Sequence, residues 1–331
     1  MRRREFIAAL GGAAATATWP LAGNAQQLSK LRRIGMLMGY AEGDREGQAF
    51  VATFREALAR FEWAEGRTVQ IDIRWAAGSA DQTRAFAKEL VDGGPDVIVG
   101  QNTPVVAALL RETSTLPIVF VNVADPVGNG FLTNYSRPGG NVTGFTGFEP
   151  SMAGKWLELL KEIAPHVTRG ALIFHPESSS GFAFLRPAEI AAATLGMKVI
   201  AAPVHNTSEI EHALDGLARE PNSGLIVLPD NFTAIHRALI ISLSARYRIP
   251  ATYPFRYIPA EGGLISYGVD VADLHRRSAA YVDRILRGEK PSELPVQGPT
   301  KFLLVVNLKT ANALGLDVPW ILQQRADEVI E

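Results

Sequence analysis

The chain has 331 residues, 47% of them hydrophobic and 20% charged, which is about twice a common single-domain length and enough apolar material for two cores. That composition excludes a disordered chain, and 33 Lys and Arg against 34 Asp and Glu give a net charge of −1, without the basic footprint of a nucleic-acid binder. Cysteine is absent, which excludes disulfides, thiolate metal sites, a cysteine nucleophile and a lipidated cysteine anchor.

Residues 1–25 predict a secretory signal peptide. Arg2, Arg3 and Arg4 precede a mildly apolar run from Ala8 to Leu21, and the small residues Gly23, Asn24 and Ala25 flank a cut before Gln26. The Arg3-Arg4-Glu5-Phe6-Ile7 segment is similar to a twin-arginine signal. No later segment has the length of uncharged apolar sequence that crosses a bilayer, so the expectation is a soluble periplasmic protein without a lipid anchor.

Beyond residue 31, short apolar runs alternate with helical periodicity. Arg33–Met38 reads as a buried strand ending in Gly39-Tyr40. Phe50, Phe54, Leu58 and Phe61 recur at helical spacing, Thr68–Ile73 alternates as a strand, and Ser79-Ala80-Asp81-Gln82 is a capping box. Asp96–Val99 is a third strand. Thr103-Pro104 then opens a helix with Thr103 as N-cap, and Leu116–Val121 is a fourth strand. This alternation predicts an α/β fold with parallel sheets and helices on both faces.

The second half repeats the scheme. Trp156, Leu159, Leu160 and Ile163 line a helix beginning at Ser151, Ala171–Phe174 is a strand, and Ser208-Glu209-Ile210-Glu211 reads as another capping box. Val97–Thr103, a helix and Leu116–Phe120 match Leu225–Asn231, a helix and Ile249–Tyr253. The expected architecture is two Rossmann-like lobes joined by a hinge: residues 28–145 with 267–300, and 146–266 with 301–331. Chain crossings are expected near Phe145, Tyr267 and Lys301. In open α/β sheets ligands sit at the carboxyl ends of strands. Those ends carry Gly39-Tyr40, Gln101-Asn102-Thr103, Asn122 to Asp125, His175 to Ser178, Asp230-Asn231 and Ser266-Tyr267.

Catalytic signatures are missing. Gly147 to Lys155 lacks the spacing of a phosphate loop, no G-x-G-x-x-G follows the first strand, and neither H-E-x-x-H nor G-x-S-x-G occurs. The six histidines are scattered, with only His205 and His212 near one another. Ser178, Ser179 and Ser180 beside His175 read as a loop that bonds a ligand. The inventory suits holding a molecule, and no cofactor or metal is expected.

Several separated blocks resemble one family: Phe120–Gly128, Arg137–Phe145, Gly262–Gly268, Pro299–Phe302 and Asn307–Leu316. The family is the ABC-transporter substrate-binding proteins of the tryptophan/tyrosine-type uptake group, with the type I periplasmic binding protein fold. The resemblance runs from about Arg33 to Glu331. It implies a bilobed, Venus-flytrap receptor that captures a small molecule, an amino acid of aromatic or branched type, and delivers it to an ABC permease in the inner membrane. It implies no enzyme activity, no nucleic acid and a monomer.

The resemblance also assigns roles. Gln101, Asn102 and Thr103 correspond to the loop that holds a ligand carboxylate, where free N–H groups and the helix dipole favour an anion. Asp230 stands where the family carries an acid for the ammonium, and it equally reads as a helix N-cap; both roles are compatible. Asn231, His175 and Ser179 join this set. Tyr40, Tyr253 and Tyr267 either stack on the ligand or belong to the core or rim. Asp125 is a ligand contact or a turn residue, while Asn122 and Gly128 read as structural. The alternatives are a periplasmic enzyme on a small polar substrate, with Asp230 or His175 as acid–base, and a ligand sensor partnering a receptor. An export signal in place of a helix-turn-helix disfavours a DNA-binding regulator.

Overall fold

The structure, a computed structural model, describes residues 31–176 and 181–331. The signal-peptide reading of residues 1–25 and the expected contact at Ser179 lie outside the described residues.

The first lobe is built from β1 (Arg32–Met38), α1 (Arg45–Ala59), β2 (Val69–Trp75), α2 (Ala80–Asp92), β3 (Val97–Gln101), α3 (Thr103–Glu112), β4 (Ile118–Val123) and β5 (Val142–Thr146). Its strands are all parallel, in the order β2-β1-β3-β4-β5. The buried runs of β1 and β3 explain this order, because a strand covered on both faces has no need to alternate. Helix starts are set by side chains. Asp44 Oδ1 accepts the N–H groups of Glu46 and Gly47 at α1, and Ser79 Oγ accepts that of Gln82 at α2. At α3 the cap is Asn102, one residue before the expected Thr103, because the Asn102 Oδ1 receives the Val105 N–H at 3.1 Å.

The second lobe continues with α4 (Met152–Ile163), β6 (Arg169–Phe174), α5 (Leu185–Thr194), β7 (Lys198–Pro203), α6 (Thr207–Ala218), β8 (Ser223–Val227), α7 (Asn231–Ile235), α8 (Arg237–Tyr247), β9 (Ala251–Tyr253), α9 (Tyr257–Ala260) and β10 (Ile265–Val269). After α10 (Val271–Leu286) come β11 (Phe302–Asn307), α11 (Leu308–Leu314), α12 (Trp320–Arg325) and β12 (Glu328–Ile330). The sheet order is β12-β11-β10-β9-β8-β6-β7, with β11 antiparallel to β10. The stretch β7-β6-β8-β9-β10 repeats the order of the first sheet, and the two sequence segments that match one another are β3-α3-β4 and β8 through β9. Helix α6 is capped by Asn206, not by Ser208. The Asn206 Oδ1 accepts the Glu209 N–H, and Glu209 reaches back to the His205 N–H.

The apolar face of α4 buries Trp156 completely, and its Nε1 donates to the Tyr267 carbonyl at 2.7 Å. Burying one such side chain contributes about 2–3 kcal/mol, and the indole bond keeps its polar atom satisfied. Strand β10 lies wholly in the second sheet, so the crossing expected at 267 falls past Val269. From there α10 returns to pack on α1 and β4 of the first lobe. Residues 294–298 bond along β5, where the Gln297 N–H reaches Gly144 and Thr143 Oγ1 donates to the Leu294 carbonyl. The chain then re-enters the second sheet at β11.

Candidate functional site

In each lobe the strand order reverses beside the first strand, at β1/β3 and at β6/β8, and the loops leaving these strands form the site. From the first lobe come Gly39-Tyr40 after β1 and Gln101-Asn102-Thr103 between β3 and α3. Gln101 is 2% exposed, and its Oε1 accepts from the Gly39 N–H at 3.1 Å and from Asn102 Nδ2 at 3.2 Å. Thr103 Oγ1 accepts the Ala124 N–H at 3.2 Å. The N-terminus of α3 offers fewer backbone donors than its position promises, since Pro104 has no N–H and that of Val105 is taken by its cap. Side-chain donors carry the polar chemistry here.

From the second lobe come His175 after β6 and Pro229-Asp230-Asn231 after β8. Asp230 caps α7 through the Thr233 N–H at 2.7 Å and accepts the His175 N–H at 2.9 Å. Burial pushes its carboxyl up to about 6, against the pull of these N–H bonds. Among the described residues it has no cationic partner. The His175 ring packs on Phe232 at 5.0 Å and on His205 at 5.8 Å between centroids.

The lobes touch directly. Asn231 Nδ2 donates to the Gly39 carbonyl at 2.8 Å, and Tyr40 and Tyr257 hydroxyls meet at 3.4 Å. Arg237 at the start of α8 bonds Asp44 of the first lobe at 2.8 Å and Glu261 of its own lobe at 2.8 Å. Burial opposes the Arg237 charge, but the bonds to Glu261 and Asp44 outweigh it and hold the guanidinium firmly protonated. Gly39 is required by this approach, because a Cβ there would collide with Asn102 Nδ2 and the Asn231 amide.

Between the lobes, Tyr40, Gln101, Asn102, Thr103, Asp230 and Asn231 line an inner cavity of about 40 Å³. An outer chamber of about 590 Å³ shares Asn102, Thr103, Asp230 and Asn231 and adds His175, Phe232, Phe131, Arg84 and Arg111. Seven expected contacts therefore face one cleft.

Three others do not. Tyr253 is 1% exposed in the core of the second lobe, its hydroxyl pushed up to about 12 by burial. Tyr267 lies on β10, stacked on Phe302 with ring centroids 5.9 Å apart. Asp125 is exposed and closes a turn through the Gly128 N–H at 2.8 Å. Strand register and turn geometry aim all three away from the cavity. Two residues outside the expected set also line it, Phe148 after β5 and Phe255 after β9, and so does Asn122 within β4, which the sequence suggests is structural. Their position near carboxyl ends of strands was the available signal.

Two mostly parallel sheets of matching strand order, meeting over a polar cleft at their reversal points, define a two-lobed binding protein of the type I periplasmic class. The chain belongs to the ABC transporter substrate binding proteins, whose family model matches residues 43–330. A tyrosine-binding protein from Clostridioides difficile is 23% identical over 283 residues, covering 86% of this chain and 80% of the relative. Among solved structures, an ABC domain from Streptococcus pneumonia in complex with L-Trp is 25% identical with a TM-score of 0.84, over 91% of this chain and 100% of that one. A ligand-free, open substrate-binding protein from C. difficile, 23% identical, superposes with a TM-score of 0.68 over 91% of this chain and 99% of that one.

Proposed function

We propose that this protein captures a free amino acid, of aromatic or branched type, in the interlobe cleft and delivers it to an inner-membrane ABC permease. The observation that carries the reading is the Asp230 carboxylate, buried without a cation among the described residues, in a cavity whose other described lining groups are neutral. A ligand ammonium supplies the missing charge, and neutral donors of the first lobe bond the ligand carboxylate. An aromatic ring needs a cavity of about 150 Å³, so it projects from the inner cavity of about 40 Å³ into the outer chamber beside Phe232. The tyrosine-binding relative and the L-Trp complex support the amino-acid reading.

The protein works as an exported, periplasmic monomer that binds without turnover, in keeping with its family. Among the described residues no helix is long and apolar enough to cross a membrane. Each lobe holds part of the ligand, so binding favours the closed state by its differential affinity. A Kd near 1 μM corresponds to about 8 kcal/mol, within reach of a charge-assisted head group plus apolar burial. Thermal shift against the free amino acids tests this. At a hundred times its Kd a ligand adds about 2.7 kcal/mol of stability. Stoichiometric binding of L-tryptophan, L-tyrosine or a branched amino acid is expected, and the absence of a shift with all of them overturns the proposal.

A further inference from the structure

We infer that Asn122 is a specificity-determining residue that selects ligands bearing a free carboxylate, resting on the amino-acid reading above. Asn122 lines the inner cavity although its place inside β4 suggests a structural role. The backbone departs from the strand here: φ is 59° and the pairing with β5 shifts register between Val121 and Val123. The irregularity turns toward the cleft a side chain that regular pleating would direct elsewhere. The Asn122 Oδ1 is buried against Gly147 and has no hydrogen-bond partner among the described residues, and a Cβ at position 147 would collide with it. With Oδ1 against Gly147, the other atom of the amide, Nδ2, is the donor we assign to the cavity. Among the described residues that line the inner cavity there is no Lys or Arg, and the α3 N-terminus is short of free N–H groups. The Gln101 Oε1 is engaged by Gly39 and Asn102, which leaves Nε2 as that side chain's donor. Asn122 Nδ2 and Gln101 Nε2 together supply the donors an anionic head group needs, opposite Asp230.

Calorimetry with L-tryptophan, L-tyrosine and their carboxamides tests this on wild type, Asn122→Gly and Asn122→Asp. Glycine adopts the left-handed backbone freely, so Asn122→Gly removes the amide without adding strain. It is expected to weaken the free acids by about ten- to a hundredfold, the worth of a hydrogen bond to a charged group, and the carboxamides by less than about threefold. Asn122→Asp is expected to weaken the acids further through like-charge repulsion while leaving the carboxamides near wild type. Equal weakening of acids and carboxamides, or no weakening, overturns the role of Asn122 while the amino-acid reading stands. A wild-type protein that binds neither these acids nor a branched amino acid overturns that reading, and this inference with it.

Discussion

Two buried titratable side chains set opposing pH dependences in the ligand-free protein. Burial pushes the Asp230 carboxyl up to about 6, and it pushes the His275 imidazole down to about 4. His275 is fully buried on α10, stacked on Phe50 with centroids 5.0 Å apart and bonded through Nδ1 to the Val271 carbonyl at 2.9 Å. Between pH 4 and 6 folded Asp230 holds a proton that the unfolded chain releases, so its contribution falls as pH rises. Folded His275 lacks a proton that the unfolded chain binds, so its contribution rises over the same window. Each amounts to about 3 kcal/mol across its range, and the slopes from these two groups cancel. Urea unfolding of Asp230→Asn between pH 4 and 6 is therefore expected to show stability climbing with pH, the histidine's slope unmasked; an unchanged profile contradicts the burial argument for Asp230. Amino-acid affinity in the wild type is expected to fall by up to about tenfold per pH unit below 6, as the carboxylate that meets the ammonium becomes protonated.

Among the elements, helix starts were the most legible part of the sequence, and their errors have a common cause. The side chains at Asp44, Ser79 and Asp230 cap as their residue types suggest. At α3 and α6 the strongest sequence signals, Thr103-Pro104 and Ser208, lose to asparagines one and two residues earlier. Asn102 reaches that role with φ at 76° and ψ at 167°, a backbone region costly for any side chain. Replacing Asn102 with Ala removes the cap and keeps an unfavourable backbone, so thermal unfolding is expected to report a loss of about 1–2 kcal/mol. The start of α8 links the lobes. Arg237 and Asp44 side chains are only 13% and 11% exposed where they meet, so solvent screens this pair less than a surface one. Arg237→Met is expected to raise the ligand Kd about tenfold, as loss of a charge-assisted bond does, and to enlarge the ligand-free radius of gyration in scattering. Unchanged values of both would mean that the pair contributes nothing to closure.

For the whole molecule, the alternation of strands and helices and the internal match between residues 97–120 and 225–253 made two similarly wound lobes readable. Both signals come from local periodicity and burial, which a linear sequence preserves. The family blocks, spread from Phe120 to Leu316, carried the functional class. Seven cleft residues were legible too, because loops after strands lead to the open edge of a sheet whatever the details of packing. The tyrosines were not: Tyr40 faces the cleft, whereas Tyr253 and Tyr267 do not, and the three sit in similar apolar runs. A side chain's direction depends on strand register, which changes sides with every residue. The places of Phe148 and Phe255 on the cavity emerge only when the lobes come together, and that of Asn122 follows from the break in β4. Sequence alone determined the class of fold, the family resemblance and the loops that edge the site. Tertiary structure decided which side chains enter the cavity and how the lobes latch, because those depend on register, a local break in β4 and contacts between residues some two hundred positions apart, such as Gly39 and Asn231.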